Sequence, residues 1–150
     1  SFGQEDNGAV KQAAILADVD SNITTFAQGY ETVLGERGVT VSGGQKQRIS
    51  IARALIRNAP VLILDDSVSA VDTATEKTIL ENLRKTRQGK TTILIAHRIS
   101  TVASMDQILF LDDGVLIDAG SHEELLSRCD AYRKMVTLQK LDEEGSDLNA

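Results

Sequence analysis

Two unbroken apolar runs of strand length, Val61-Leu62-Ile63-Leu64-Asp65 and Thr91 to Ala96, restrict this chain more than any other feature. Runs of that kind read as central strands of a parallel sheet, buried on both faces, because a half-solvated strand would alternate apolar with polar residues. Between them Thr73-x-x-Glu76 reads as a capping box, and Ile79, Leu80 and Leu83 carry a helix toward Arg87. Strand, helix and strand in that order make a right-handed crossover unit, so the class is α/β.

On the N-terminal side, Val10, Ala13, Ala14, Ile15 and Ala17 fit a short amphipathic helix over Gly8 to Val19, and Ser21 to Phe26 adds another turn or two. Gly29 to Val41 is loop-like, punctuated by Gly29, Gly35 and Gly38. Ser42-x-x-Gln45 is a capping box that opens a stronger helix with Ile49, Ala52, Leu55 and Ile56 on one face, stopped by Pro60. On the C-terminal side, Asp112-Asp113-Gly114 joins Gln107–Leu111 to Val115–Asp118 as a hairpin. Ser121-x-x-Glu124 caps a further helix, and Tyr132 to Leu141 reads as the last one. The acidic stretch from 141 to 150 is too polar to bury and is expected to be disordered.

Composition narrows the function classes. A net charge of −6 with no basic stripe argues against a nucleic-acid partner, since affinity for phosphate backbones rests on clustered Lys and Arg. One cysteine, Cys129, allows no internal disulfide, so a reducing compartment is expected. The apolar runs fall far short of the roughly 20 residues of a membrane span, so direct membrane insertion of this segment is not expected. The start at Ser1, with no signal-peptide pattern, reads as a segment cut from a longer protein.

The chemistry concentrates in Val41-Ser42-Gly43-Gly44-Gln45-Lys46-Gln47-Arg48, at the start of the strongest helix. A Ser-Gly-Gly opening offers unobstructed backbone N–H groups, a hydroxyl and the positive end of a helix macrodipole, all suited to a phosphate. Those three residues also fit a plain loop-to-helix junction. Val41 to Arg53, taken with Leu62-Ile63-Leu64-Asp65-Asp66 and Ser69-Ala70-Val71-Asp72, resembles the ATP-binding-cassette (ABC) family over about Ser1 to Gln139. Val41 departs mildly from that family's usual Leu.

The resemblance implies an incomplete P-loop NTPase (RecA-like) parallel sheet with helices, plus part of the ABC helical subdomain. Residues 1–58 would be the signature subdomain portion and 59–140 the C-terminal half of the nucleotide-binding core. It assigns Ser42, Gly43, Gly44 and Gln45 to the γ-phosphate of an ATP held by an opposing subunit, Asp65 to Mg2+, and Asp72 to the loop crossing the dimer interface. Asp66 stands where active relatives carry a catalytic glutamate, and His97 where they keep a switch histidine. Aspartate there is one methylene short, which resembles the degenerate subunit of a heterodimeric multidrug exporter. Outside that context Asp65 and Asp72 fit local caps, and His97 fits a hydrogen-bonded surface residue. Leu34-Gly35-Glu36-Arg37-Gly38 looks like an exporter loop that touches the transmembrane domains, or else a Gly-rich turn with a local ion pair.

The implied function is part of the ATP-binding and hydrolysing domain of an ABC exporter, coupling dimer closure to export. Its cofactors would be ATP and Mg2+. Its partners would be a second nucleotide-binding domain, in a homo- or heterodimer, and the transmembrane domains, at the cytoplasmic face of the cell membrane. Two alternatives stand: a non-hydrolytic regulatory half of a heterodimer, and a soluble ABC ATPase of DNA repair or translation. Gly89-Lys90-Thr91 imitates the end of a phosphate loop, but Arg84 occupies the position that needs Gly, and the order is helix to strand. It reads as a helix C-cap glycine and a strand start. With no phosphate loop the 150 residues are expected to be inactive alone and not to bind ATP. In the family a further strand lies between Thr91–Ala96 and Gln107–Leu111, so its absence implies a gap in the sheet, and the fragment is expected to self-associate, swap elements or close the gap non-natively.

Overall fold

The computed structural model describes residues 7–35 and 39–147. Two compact units divide at Ile95/Ala96. Helices from the first part of the chain and the first strand share one apolar core in the first unit.

The first unit contains α1 (Asn7–Leu16), α2 (Asp20–Thr24), a 3-10 turn at Gly29–Glu31, α3 (Gly43–Ile56), β1 (Val61–Asp65), α4 (Thr73–Thr86) and β2 (Thr91–Ile95). β1 and β2 pair in parallel from Val61↔Thr91 to Asp65↔Ile95. Ala13, Ala14 and Ala17 of the α1 segment pack with Ile51 and Ala52 of α3, Leu62 and Leu64 of β1, and Ile79 and Leu83 of α4. The small alanines at i, i+1 and i+4 let α1 approach closely on the face where α3 brings its larger Ile51.

Four expectations about the first unit need correction. β1 is not buried on both faces: Leu62 and Leu64 are buried, whereas Val61 is 49% and Ile63 62% exposed. Among the described residues its sheet has two strands, and the core residues that α1, α3 and α4 supply meet the Leu62/Leu64 face. The cap of α4 is Asp72, not Thr73; its carboxylate accepts the Thr75 N–H at 3.0 Å. Aspartate is the better N-cap, and moving the helix start one residue earlier lets Glu76 lie buried. Gly89 is not the C-cap of α4, which is Arg87; Gly89 takes φ +74 in the turn closed by the Lys90 N–H to the Arg87 carbonyl. On α3, Ile56 is 42% exposed, so the inward face is Ile51 and Ala52, with Ile49 and Leu55 partly buried.

Arg87 is a buried cation that holds the entrance to both strands. Its guanidinium donates to the Ala59 and Thr91 carbonyls at 3.1 and 3.2 Å and to the Thr92 hydroxyl at 3.1 Å. Arg87→Met leaves those acceptors without a donor and is expected to cost about 2 kcal/mol or more, read as a lower midpoint in urea at unchanged slope. An unchanged midpoint would show that water replaces the guanidinium at no cost.

The second unit contains α5 (Ile99–Val102), β3 (Ile108–Asp112), β4 (Val115–Gly120), α6 (His122–Arg128) and α7 (Asp130–Asp147). β3 and β4 form the expected antiparallel hairpin around Asp113 (φ +45) and Gly114 (φ +76), the two positive-φ positions that a two-residue hairpin turn needs. Tyr132, Leu125, Val136, Cys129 and Ile108 make its core, and the Tyr132 hydroxyl meets His122 Nδ1 at 2.8 Å. The acidic tail is not disordered from 141: α7 runs on to Asp147. Once the Tyr132 and Val136 turns are docked, each added residue gains a backbone hydrogen bond without a new nucleation cost, and needs no burial.

Arg128 ties α6 to β4 through Asp118, with Nε and Nη2 donating at 3.1 and 3.0 Å. The Arg128 hydrogen bonds, aided by the Ala119 N–H, hold the Asp118 carboxyl below its ordinary value. The Ser121 N–H does the same for Glu124 in the Ser121–Glu124 capping box. Carboxyls lowered on folding contribute stability that is full above the ordinary carboxylate range and is lost as pH falls through their folded values. The Tm advantage of the wild-type chain over Arg128→Met is therefore expected to be largest near neutrality and to vanish in acid. A difference that persists in acid would assign the effect to packing of the arginine stem.

Candidate functional site

The site starts at the head of α3. Ser42 is the N-cap: its Oγ accepts the Gln45 N–H at 3.2 Å, and Gln45 Oε1 accepts the Ser42 N–H at 2.9 Å. This capping box fixes the direction of the first turn and leaves the Ser42 O–H proton free to donate. Among the described residues no protein acceptor meets the Gly43 and Gly44 N–H groups. A hydroxyl donor and two open amides at the positive end of a 14-residue helix form a ready anion-binding corner.

That corner is locked to the stretch after β1. A Cβ at Gly44 would lie 2.7 Å from the Ala70 carbonyl oxygen, and one at Gly43 would lie 3.6 Å from the Ala70 Cβ. Only glycine at 44 permits this approach. One turn into α3, Gln47 spends both ends of its amide on the same stretch: Nε2 donates to the Asp66 carbonyl and the Ser69 hydroxyl, each at 2.9 Å, and Oε1 accepts the Ala70 N–H at 2.9 Å. The sequence reading gave Gln47 no task. A signal was present, because Gln47 lies one turn before the buried Ile51 and hence on the inward face.

Asp65 ends β1 with an exposed carboxylate, and its carbonyl accepts the Ser67 hydroxyl at 3.1 Å. Asp66 is exposed and adopts φ +48, a left-handed conformation uncommon for any residue but glycine and best tolerated by Asp and Asn. Its N–H donates to the Ile95 carbonyl at 3.3 Å while its own carbonyl takes the Gln47 amide, so β2 and α3 hold its main chain from two sides. Asp72 is exposed and caps α4; the Thr75 N–H holds its carboxyl below the ordinary value. The bland expectation for Asp72, a helix-start acid, thus describes one of its two oxygens.

Ser42, Gly43, Gly44, Gln45, Asp65, Asp66 and Asp72 all lie in the first unit, and Gln47 brings the first four into register with the 66–70 stretch. His97 belongs to the second unit, in the exposed passage before α5. There the Gln139 side chain of α7 brackets the passage, with Oε1 accepting the Ile99 N–H at 2.8 Å and Nε2 donating to the His97 carbonyl. Gln139 is a second residue that sequence reasoning missed, because its partner lies 42 positions away. Glu36, Arg37 and Gly38 of the expected exporter loop lie outside the described residues. Among the described residues no helix is long and apolar enough to cross a membrane, and no three His, Cys, Asp or Glu side chains gather into a metal cage.

Residues 4–69 match the ABC transporter family. The chain is 47% identical over 148 residues to the probable multidrug resistance ABC transporter ATP-binding/permease protein YheI of Bacillus subtilis, covering 96% of this chain and 25% of that protein. It is 45% identical over 151 residues to ABC transporter B family member 17 of Arabidopsis thaliana, covering 99% of this chain and 12% of that protein. A solved bacterial Atm1-family ABC exporter with ATP bound superposes with a TM-score of 0.85 at 45% identity, over 93% of this chain and 24% of that one. The chain belongs to the ABC transporter family.

This ABC chain is part of an ATP-binding domain of the exporter type. It spans between about one eighth and one quarter of the length of the relatives it matches. Members of the family are generally ATPases, and the relatives include ATP-dependent lipid A-core flippases such as that of Vibrio vulnificus, 45% identical over 138 residues and covered to 23%. The Ser42–Gln45 motif lies within the residues that match the family.

Proposed function

We propose that this chain supplies its signature face to one, and its acid-bearing loop to the other, of two ATP sites formed between two ABC domains of a membrane exporter. The observation that carries the reading is the open corner at Ser42, Gly43 and Gly44, held against the Asp66–Ala70 stretch by Gln47. Ser42 and the two glycine amides bind the γ-phosphate of a nucleotide carried by the opposing domain. Their contribution grows as negative charge develops on the transferred phosphoryl group.

Asp65 would hold Mg2+ through water, as hard oxygen ligands do, and the ion would supply charge neutralisation to the reacting phosphates. Asp66 orients the attacking water and His97 contacts the γ-phosphate. Asp72 lies on the loop that crosses to the second domain. Closure of the two domains over ATP moves the attached transmembrane domains at the cytoplasmic face of the membrane.

A second reading is favoured by one residue. Asp66 is shorter than the glutamate of active relatives, so the site containing it hydrolyses slowly, and the chain serves as the regulatory half of a heterodimer whose signature completes the partner's site. In both readings Ser42→Ala in the complete transporter is expected to lower kcat about tenfold or more, the cost of about 1.5–3 kcal/mol for one lost donor to a charged acceptor. The assay is Mg-dependent ATP turnover of the purified, reconstituted protein, with folding checked by its melting curve. An unaltered rate in Ser42→Ala would remove the signature role.

A further inference from the structure

We infer that Gln139 is a positioning residue for ATP hydrolysis, fixing the main chain from which His97 reaches the γ-phosphate. The inference rests on the functional reading above, in its hydrolytic form, and adds a residue that reading does not use.

Three observations carry it. Gln139 spends both ends of its side-chain amide on one short stretch: Nε2 donates to the His97 carbonyl, and Oε1 accepts the Ile99 N–H at 2.8 Å. A single planar group therefore holds the two peptide planes that meet at Arg98, and the first of them carries the His97 carbonyl.

The second observation is the anchor behind that amide. Tyr132 and Val136 are fully or almost fully buried in the core of the second unit, and Gln139 follows on the same face of α7, half-buried, where the apolar pattern would place a Leu or Met. A polar side chain at such a position needs partners, and the His97 passage provides them. The third is the start of α5. Its N-cap residue, Arg98, makes no side-chain capping hydrogen bond, and Gln139 meets the first N–H of the helix from 40 positions away.

The restraint lies wholly inside the second unit of one chain, and His97 serves one nucleotide. Burial does not hold His97, which is exposed; the clamp on its carbonyl restrains its main chain. Without the clamp the passage is free to rotate about Arg98, and the His97 ring moves with it. Misplacement of a reacting group by about 1 Å is able to cost on the order of 10²-fold.

The test uses the complete transporter with Gln139→Leu, His97→Ala and the double variant. It measures kcat, KM for ATP and Tm, with single turnovers in transporter excess where steady-state rates are too slow to read. Leucine keeps an apolar stem in the core pattern and removes both the donor and the acceptor. The expected result for Gln139→Leu is a fall in kcat of about tenfold or more with KM for ATP within about threefold of wild type. In the His97→Ala background the same change is expected to alter kcat by less than about threefold, because a residue that acts through His97 has nothing left to position.

A merely structural role predicts a lower Tm with kcat per folded molecule unchanged, or an equal fall in kcat in both backgrounds, and either result would overturn the inference. So would a rise in KM for ATP with kcat intact, which would tie Gln139 to nucleotide affinity rather than to placement. If Gln139→Leu fails to accumulate, Gln139→Met, apolar and close to glutamine in length, is measured in its place and judged in the same way. An unaltered kcat in His97→Ala would bring down the role given to His97 above, and this inference with it. A slow His97→Ala beside a fully active Gln139→Leu would sink the inference alone.

Discussion

Replacing Asp66 with glutamate in the complete transporter is expected to raise ATP turnover by about a hundredfold if this chain carries the slow site. The reason is geometric. The Asp66 main chain is held on one side by the Ile95 carbonyl and on the other by the Gln47 amide. Its carboxylate therefore cannot advance by backbone movement, and only a longer side chain extends its reach. The added methylene supplies roughly 1 Å, the scale on which catalytic placement matters. Stability should move the other way, because glutamate tolerates φ +48 less well than aspartate. A gain in kcat with a slightly lower Tm is thus the expected signature. Unchanged turnover would remove the regulatory reading and leave Asp66 as an adequate residue in an active site.

Gly44→Ala is expected to lower turnover by about a hundredfold and to destabilise the domain by about 1–3 kcal/mol. Its Cβ would meet the Ala70 carbonyl oxygen at 2.7 Å, and the obstacle is backbone rather than the flexible end of a side chain. The Ser69–Asp72 stretch must shift, and it carries the Gln47 hydrogen bonds and the cap of α4 with it. Gly43→Ala provides the comparison, because its Cβ would make an ordinary 3.6 Å contact with Ala70. Urea midpoints should separate the two variants, with Gly44→Ala low and Gly43→Ala near wild type. Equal midpoints would show that the loop yields without cost and that its spacing from α3 is not tightly held.

These expectations draw on residues of unequal visibility in the sequence. The cap at Ser42, the cap at Ser121 and the Asp113-Gly114 turn were all legible, because each is a local contract between residues two to four positions apart. The α/β class followed from two apolar runs and the helix between them, and the family from the Ser42–Gln45 and Asp65–Asp66 strings. Thr73 was misjudged as a cap because Thr and Asp are both eligible at adjacent positions, and only the packing of Glu76 and Ile79 decides which residue starts the helix.

What the sequence alone determined here is the set of short-range pieces: most of the caps, the hairpin turn, and which strands run in parallel. What only the tertiary structure decided is how those pieces are held apart and together: the amide of Gln47 across 19 to 23 positions, the bare Cα of Gly44 against Ala70, and Gln139 reaching the His97 passage across 42. It also decided that β1 buries one face and not two. The physical reason is that a cap or turn is satisfied by neighbours in the chain, whereas a side-chain amide or a missing methyl gains its meaning from whatever distant backbone the fold brings within 3 Å.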